Sequence, residues 1–372
     1  MRGFQNSNIL FMIPDQFGYS AGYYYYCKYL LLLGYNITVI CVDKGLKKVE
    51  LDGAITFYYI QQERTRINKF LYVILVRLKS LKKLYNLKNK GDIFILKYFE
   101  GVSISLLFLP RNRTIVDIRT GTVRKSKTIR ILLNQLLRVE VFLFKKIFIL
   151  SKELSQKLKL ASDKIIYLPL GSEELSKEAK NYCSSINLLY IGTFSYRNID
   201  QCIDGFAKFY KKYKALLPLS FDIIGFGKLQ DEAKIKELIY AYNLSDVIVF
   251  HGKKTHVNSL PFFQRCNYGI SYIPITDYFN LQPPTKTFEY ILSGLVCIAT
   301  QTKANQELIT EKNGVLCEDT SESFFHALET VYNKRFSYST DAIKDSLYSH
   351  KWEYIVRNIM HKAFKEILLQ YS

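Results

Sequence analysis

The sequence is poor in the residues from which metal sites and disulfide frameworks are built. Its seven cysteines are scattered without a C-x-x-C pair, residues 1–186 contain no histidine, and no Asp-x-Asp motif occurs. These patterns argue against a zinc site or a disulfide scaffold. They favour cysteines that serve as small buried apolar residues in a reducing compartment. We therefore expect no metal and no other cofactor.

Long hydrophobic runs are also missing. The longest uncharged apolar stretch, residues 29–42, is interrupted by Gly34 and Asn36. It falls short of the ~18 residues that a membrane span needs. The first eight residues lack the pattern of a secretory signal. The sequence therefore predicts a cytoplasmic protein that does not cross a membrane.

Charge is the first feature that the sequence has in excess. The net charge is +19, and it is distributed unevenly. Residues 1–186 hold 31 basic and 14 acidic residues, whereas residues 187–372 hold 21 and 19. A one-sided basic surface indicates an anionic partner, such as an anionic substrate, an acidic bilayer or a nucleic acid, unless it is simply solvated.

Apolar strands alternate with helices in both halves of the chain. Strands that are apolar throughout and alternate with helices form parallel sheets covered on both faces. This predicts the α/β class with two Rossmann-like, doubly wound domains facing across a cleft, where such domains bind ligands. The expected parts are an N-terminal domain (1–170), a linker (171–186), a C-terminal domain (187–345) and a helix (346–372) that could pack back on the first domain.

One segment near the C-terminus has the features of a nucleotide site. Two prolines end at Pro284 and suit the turn and first position of a helix, with Thr285, Lys286 and Glu289 following. A helix start attracts anions, and Lys286 adds a full positive charge. Glu289 projects from the same face about one turn later and can accept hydrogen bonds from a ribose diol. The alternative is a Lys–Glu pair on a solvated helix.

The order of motifs around this segment resembles that of GT-B glycosyltransferases, in particular glycosyltransferase family 4. After Glu289 come Tyr290 to Gly294, an apolar strand, and the steps at Asn305-Gln-Glu307 and Asn313-Gly314. The likeness extends back through residues 187–193, 196–200, 222–227 and 249–252, and so covers about half the chain.

The resemblance implies a nucleotide-sugar site in the C-terminal domain. Arg197 and Lys286 would hold the donor diphosphate, and Glu289 would hold the ribose. The other positions that it implies are Gly192, Thr193, Gly225, Gly252, Lys253, Leu281, Gln282, Pro284 and Thr285. Leu281 departs from the family, which often has a sugar-binding glutamate there.

In the first half the resemblance is thinner. The loop containing Gly18 and Gly22 occupies the place of the family's glycine-rich loop. Asp117 and Arg119 end a strand and are expected to face the cleft. Asp117, with Glu100 behind it, is the candidate base for the acceptor. The alternative is that Asp117 is a turn-forming residue with Arg119 as its partner.

Two basic amphipathic stretches, residues 68–83 and 124–138, account for much of the charge. Such helices can lie on an anionic bilayer, at about 1 kcal/mol per basic residue near the surface. The alternative is a helix packed on the core with its lysines in solvent. Membrane contact would suit an enzyme whose glycan acceptor is linked to a lipid.

Together these features predict an enzyme that transfers sugar from a nucleotide sugar to a glycan acceptor, in surface polysaccharide synthesis. The resemblance implies retention of configuration, and the cations would make a metal unnecessary. We expect it at the inner face of the cell membrane and not on nucleic acid. The alternatives are a sugar-nucleotide epimerase with the same architecture and a non-catalytic polyanion-binding module.

Overall fold

The computed structural model describes residues 6–61, 69–122, 126–276, 279–280 and 284–370. The chain forms two compact units. The first comprises Met1–Leu170 and Trp352–Ser372, and the second comprises Gly171–Lys351. Residues 171–186, expected as a linker, thus lie within the second unit.

A seven-stranded parallel sheet forms the first unit, in the order β3-β2-β1-β4-β5-β6-β7. Its strands are β1 (Asn8–Ile13), β2 (Asn36–Asp43), β3 (Ile55–Gln61), β4 (Ile93–Lys97), β5 (Thr114–Ile118), β6 (Lys146–Ile149) and β7 (Ile165–Tyr167). Its helices in the first 170 residues are α1 (Ala21–Leu32), α2 (Lys69–Asn86), α3 (Lys127–Phe142) and α4 (Lys152–Leu158).

The interior strand β1 shows why this sheet is covered on both faces. Successive side chains of a strand point to opposite faces. Ile9 and Phe11 pack into one core together with α1. Leu10 and Met12 pack into a second core together with α2 and α3. Apolar residues at every position of the strand therefore satisfy two cores at once.

The second unit is a six-stranded parallel sheet in the order β10-β9-β8-β11-β12-β13. Its strands are β8 (Ile186–Thr193), β9 (Leu219–Phe226), β10 (Ile248–Phe250), β11 (Tyr268–Ser271), β12 (Val296–Thr300) and β13 (Gly314–Cys317). Its helices are α5 (Ile199–Tyr213), α6 (Leu229–Ala241), α7 (His256–Arg265), α8 (Thr285–Leu292), α9 (Lys303–Gln306), α10 (Ser321–Lys334) and α11 (Thr340–Ser346). The prediction of two Rossmann-like α/β units is confirmed.

The C-terminal segment returns to the first unit. It consists of α12 (Trp352–Ile355), a π-helical turn at Val356–Met360, and α13 (His361–Leu369). Trp352 stacks on Tyr25 with ring centroids 5.6 Å apart, and Phe364 is fully buried in the first core. The helix begins at Trp352 and not at residue 346, because residues up to Ser346 still belong to α11.

Two further features of the structure concern the cysteines and the length of the helices. All seven cysteines are free, and six of them are buried, with Cys183 exposed. Within the described ranges, no helix combines the length and the apolar character that a membrane crossing requires.

Candidate functional site

The second sheet has its switch point between β8 and β11, the neighbouring strands at which the strand order reverses. Doubly wound sheets bind ligands there, outside the carboxyl ends of the strands. Gly192 and Thr193 are the last two residues of β8, and Arg197 lies in the loop that follows. Helix α8 is the helix that follows β11. The residues expected to bind a nucleotide are therefore brought to one edge of the sheet.

The start of α8 is fixed by its prolines and by a buried polar network. Pro284 is the residue before the helix, with φ −64° and ψ 137°, and Thr285, its first residue, is exposed. Thr287 shares a 2.7 Å hydrogen bond with the Ser271 hydroxyl and donates to Asn305 over 3.2 Å. This network anchors the first turn of α8 to β11 and α9. The backbone N–H groups at the helix start are thus held in place.

Lys286 is buried beneath the switch point, only 8% exposed. Its ammonium group lies 4.0 Å from the centroid of the Tyr190 ring and 3.4 Å from the carbonyl oxygen of Tyr272. Burial lowers the pKa of Lys286 to about 7, and the positive charge of Arg197 acts in the same direction. A cation held this way would regain stability from an incoming anion.

Glu289 lies one turn further along α8 and is half-buried. Among the described residues, none donates a hydrogen bond to its carboxylate or forms an ion pair with it. Burial raises the pKa of Glu289 to about 7, while the charge of Lys286 opposes that rise. The Lys–Glu pair is therefore not a solvated surface pair. Its carboxylate is an acceptor that a diol could satisfy.

Arg197 lies in the tight loop after β8. Its guanidinium packs 4.3 Å from the centroid of the Phe279 ring, and its backbone N–H donates to the carbonyl of Phe194. Tyr196 and Asn198, on either side of it, have left-handed backbones with φ of 61° and 50°. The positive charge of Arg197 contributes to the lowered pKa of Lys286. An anion bound beside Lys286 would therefore also be attracted by Arg197.

The predicted glycines line this edge of the sheet. Gly225 pairs with Gly192, and a Cβ on Gly225 would lie 1.9 Å from the carbonyl oxygen of Gly192. The Gly225 N–H donates to Gly252, whose φ of 65° favours glycine. Lys253 packs its ammonium 4.9 Å from the centroid of the Phe226 ring. Leu281 and Gln282, also predicted at the site, lie outside the described residues.

In the first unit Asp117, the expected base, is buried and paired. Its side chain is 1% exposed. Its carboxylate is held by the Tyr23 hydroxyl and by the Arg119 guanidinium, at 2.9–3.0 Å from the latter. Arg119 also donates to the Tyr26 hydroxyl and to the carbonyl of Leu168 over 2.8 Å. Asp117 lies within β5 and forms no turn, but Arg119 is its ion-pair partner, as the alternative supposed.

Glu100, the second candidate base, is paired with Arg77 of α2. Gly18, with φ 88°, packs against Val49, and Gly22 lies in the first turn of α1. The carboxylate that remains half-exposed at the carboxyl end of β1 is Asp15. Lys44 and Lys97 bind it over 2.8 and 2.6 Å, and these contacts lower its pKa although burial opposes them.

The sequence analysis missed some residues at this edge of the sheet. From the sequence, Tyr190 is an ordinary core residue of β8, and no sequence pattern predicts its contact with Lys286. Asp222 of β9 is buried and binds His251 over 2.6 Å and the guanidinium of Arg265. This group of three holds the end of β10, next to Gly252. In the described part of the chain, no cluster of three or more His, Cys, Asp or Glu side chains could hold a metal ion.

Comparisons with known proteins agree with this geometry. Residues 185–334 match the family model described as glycosyl transferases group 1. The comparison with curated proteins gave no match.

Solved structures share the fold over nearly the whole chain. Sucrose-phosphate synthase from Thermosynechococcus elongatus is 13% identical, with a TM-score of 0.73, over 98% of this chain and 100% of that one. A glycosyltransferase from Rickettsia africae is 14% identical, with a TM-score of 0.70, over 99% and 100%. An Anabaena protein in complex with UDP is 12% identical, with a TM-score of 0.61, over 96% and 100%. The chain therefore has the GT-B fold of these solved structures, and its residues 185–334 match the model of the glycosyl transferases group 1 family.

Proposed function

We propose that the protein transfers a sugar from a nucleoside diphosphate sugar, bound at the start of α8, to a lipid-linked glycan acceptor in surface polysaccharide synthesis. The observation that carries the donor part is the pair on α8. A buried lysine with a pKa near 7 and a half-buried glutamate without a donor among the described residues lie one turn apart at the switch point. This pair matches the phosphate and ribose of a nucleotide.

In this proposal the site works mainly by stabilising charge. As the bond between sugar and diphosphate breaks, negative charge develops on the leaving phosphate oxygens. Lys286, Arg197 and the N–H groups at the start of α8 would neutralise that charge, so a metal ion is not required. The acceptor hydroxyl attacks from the face that the diphosphate leaves, which retains the configuration. Its proton then passes to a phosphate oxygen. This step needs no side-chain base, which agrees with the pairing of Asp117 with Arg119 and of Glu100 with Arg77.

The acceptor part of the proposal rests on an apolar face of the first unit. Helix α2 exposes Leu71, Ile74, Leu75 and Leu78, at helical spacing along one stripe. Helix α3 exposes a second stripe, Ile129, Leu132, Leu136 and Val139, continued by Leu143. A 3₁₀ turn (Val102–Leu107) packs against both helices and exposes Ile104 and Leu107. We call these two stripes and the turn the apolar face.

The charges beside the apolar face suit a bilayer with anionic lipids. Helix α2 carries five basic residues and no acidic one. Helix α3 carries three basic residues, and its one acidic residue, Glu140, is buried beneath hydrogen bonds from Tyr98, Gly101 and Ser103. Half of the exposed large apolar side chains of the described residues lie between Leu71 and Leu143. Exposed apolar surface of this extent marks an interaction site. We therefore place the enzyme at the inner face of the cell membrane.

The donor site is tested by thermal shift with UDP, GDP, ADP and CMP and their sugars, starting with UDP because an Anabaena structural relative was solved with it. A ligand at a hundred times its Kd adds about 2.7 kcal/mol. We expect one nucleotide to stabilise the wild type, and Lys286→Met and Glu289→Gln to bind it at least tenfold more weakly. Lys303→Met, an exposed lysine of α9, serves as the matched control. A response of either site variant equal to the wild type would refute the donor assignment.

Membrane contact is tested separately by co-sedimentation with vesicles. We expect binding to vesicles containing phosphatidylglycerol, weakened by salt and by Ile129→Asp with Leu132→Asp. Leu216→Asp, which alters a side chain that is 64% exposed in the second unit, should bind as the wild type does. Equal sedimentation of the α3 variant and the wild type would disprove the membrane role of the apolar face.

A further inference from the structure

A groove opens along the C-terminal half of α3 and has no role in the donor site. It is lined by α3, by Ile147 of β6, and by the segment after α4, and its volume is ≈ 670 Å³. This lies within the range of small-molecule and cofactor sites, about 300–1,000 Å³. Its floor is formed by the buried side chains of Val141 and Ile147.

The walls of the groove are apolar. Val139 is 66% exposed and Phe142 is 69% exposed, which is unusual for large apolar side chains that have a core beside them. Leu143 and Leu160 complete the walls. Val139 and Leu143 also belong to the α3 stripe of the apolar face. The groove is therefore continuous with that face.

The rim of the groove is cationic. Arg138, Lys159 and Lys164 line it, and none of the described residues that line it is acidic. Lys164 is held in place, because its ammonium donates to the carbonyl of Phe142 over 2.9 Å and lies 4.5 Å from that ring's centroid. Arg138 and Lys159 are exposed, and among the described residues neither side chain has a hydrogen-bond or ion-pair partner. Lys159 ends α4 in a left-handed conformation, with φ 52°.

We propose that this groove binds one anionic phospholipid of the bilayer, with the headgroup phosphate between Arg138, Lys159 and Lys164 and part of an acyl chain along Val139, Phe142 and Leu143. The inference deepens the proposed membrane contact and rests on it. An uncharged apolar ligand would leave three cations unused. A free phosphate would leave the apolar walls exposed. A second copy of the chain would bring the same cations against these ones. An amphiphile with an anionic head satisfies both halves of the groove.

The experiment uses the full chain and short-chain lipids below their micelle concentration. Binding of dioctanoyl phosphatidylglycerol, dioctanoyl phosphatidylcholine and inorganic phosphate is measured by calorimetry. We expect phosphatidylglycerol to bind at least tenfold more tightly than either of the others. The double variant Arg138→Gln with Lys159→Gln should lose at least tenfold in affinity. A matched double variant on α4, Lys152→Gln with Lys157→Gln, removes two exposed lysines that do not line the groove and should bind like the wild type.

Three results would overturn the proposal. They are equal binding of the two lipids, binding of phosphate alone as tight as that of the anionic lipid, or an undiminished affinity in the Arg138 and Lys159 variant. The nucleotide-induced thermal shift is recorded for every variant. If the Arg138 and Lys159 variant shows a normal nucleotide-induced shift but loses lipid binding, the result supports the lipid site in the groove. If the wild type shows no nucleotide-induced shift, that result counts against the donor site, and the lipid measurement still tests the groove independently.

Discussion

The ammonium group of Lys286 lies 4.0 Å from the centroid of the Tyr190 ring. The ring face partly replaces water around a buried cation, an interaction of about 0.5–2 kcal/mol. The hydroxyl of the same tyrosine donates to the carbonyl of Thr193 over 2.8 Å. One side chain of β8 thus supports the predicted phosphate-binding lysine and shapes the loop that would meet the same phosphate.

Nucleotide affinity should depend on pH with a maximum near 7. Lys286 must be protonated to attract phosphate, and burial lowers its pKa to about 7. Above that pH, binding requires proton uptake, so affinity should fall by about tenfold per pH unit. Glu289, whose pKa burial raises to about 7, must be ionised to accept two hydrogen bonds, so affinity should also fall below pH 7.

Calorimetric titrations between pH 5.5 and 9 measure this profile. Lys286→Met should flatten the alkaline limb, and Glu289→Gln should flatten the acidic limb. The phosphate of the nucleotide titrates in the same way with every variant. The Glu289→Gln curve measures that contribution, because Glu289 no longer titrates in it. An alkaline limb that persists without Lys286 would show that another group controls it.

Gly225→Ala should be strongly destabilising. The new Cβ would lie 1.9 Å from the carbonyl oxygen of Gly192, so the paired strands β8 and β9 must separate. We expect a loss of about 3 kcal/mol or more in the free energy of unfolding, measured by urea titration. Gly121→Ala is the control, because a Cβ there meets its nearest neighbours at 3.6 Å. A Gly225→Ala protein as stable as the control would contradict the close strand approach.

Asp117→Asn should lower stability more than it lowers the rate of a folded enzyme. The substitution leaves the Arg119 guanidinium, 15% exposed, without its counter-charge. Removing one partner of a buried ion pair costs about 3–5 kcal/mol. Asp163→Asn, an exposed aspartate of the same unit, should change stability by less than about 0.5 kcal/mol. A stable Asp117→Asn protein with abolished sugar transfer would restore Asp117 as a catalytic residue.

Trp352→Ala should destabilise the first unit. Trp352 is 3% exposed and packs on Tyr25 and Tyr26 with centroid distances of 5.6 and 5.5 Å. Replacing a buried tryptophan by alanine costs about 3–5 kcal/mol. Leu369→Ala, near the exposed end of α13, should cost far less. Thermal unfolding of the two variants makes the comparison, and equal melting temperatures would mean that the C-terminal helix contributes little to that core.

Much of the architecture was predictable because it follows from local sequence patterns. Uninterrupted apolar runs such as residues 9–13 coincide with a strand, and the prolines before Thr285 mark the start of α8. Strand β3, which the sequence analysis did not single out, lies at the sheet edge and is only half-buried, and Thr56 and Gln61 are polar residues within it. Strand β7 is only three residues long.

What could not be predicted depends on contacts between distant residues. The sequence pattern of an aspartate at the end of a strand is the same whether its side chain faces a ligand or a buried arginine. The Tyr23 hydroxyl that binds Asp117 lies 94 positions away in the chain. In the same way, the burial that shifts the pKa of Lys286 comes from β8 and β11, and neither is adjacent to it in sequence. Residue types and spacing identified the donor candidates, but only the folded chain shows the burial that shifts their pKa values.

The return of the C-terminal helix to the first unit has a consequence for synthesis on the ribosome. Residues 1–170 are made first, but their core lacks Trp352 until another 182 residues have been translated (352 − 170) and lacks Phe364 until another 194 have been (364 − 170). At roughly 5–20 residues per second that delay is about 10–40 s. The second unit is one continuous segment and can complete itself during that time. The first half of the nascent chain therefore keeps part of its apolar surface uncovered during that time, and we expect chaperones to act on it there.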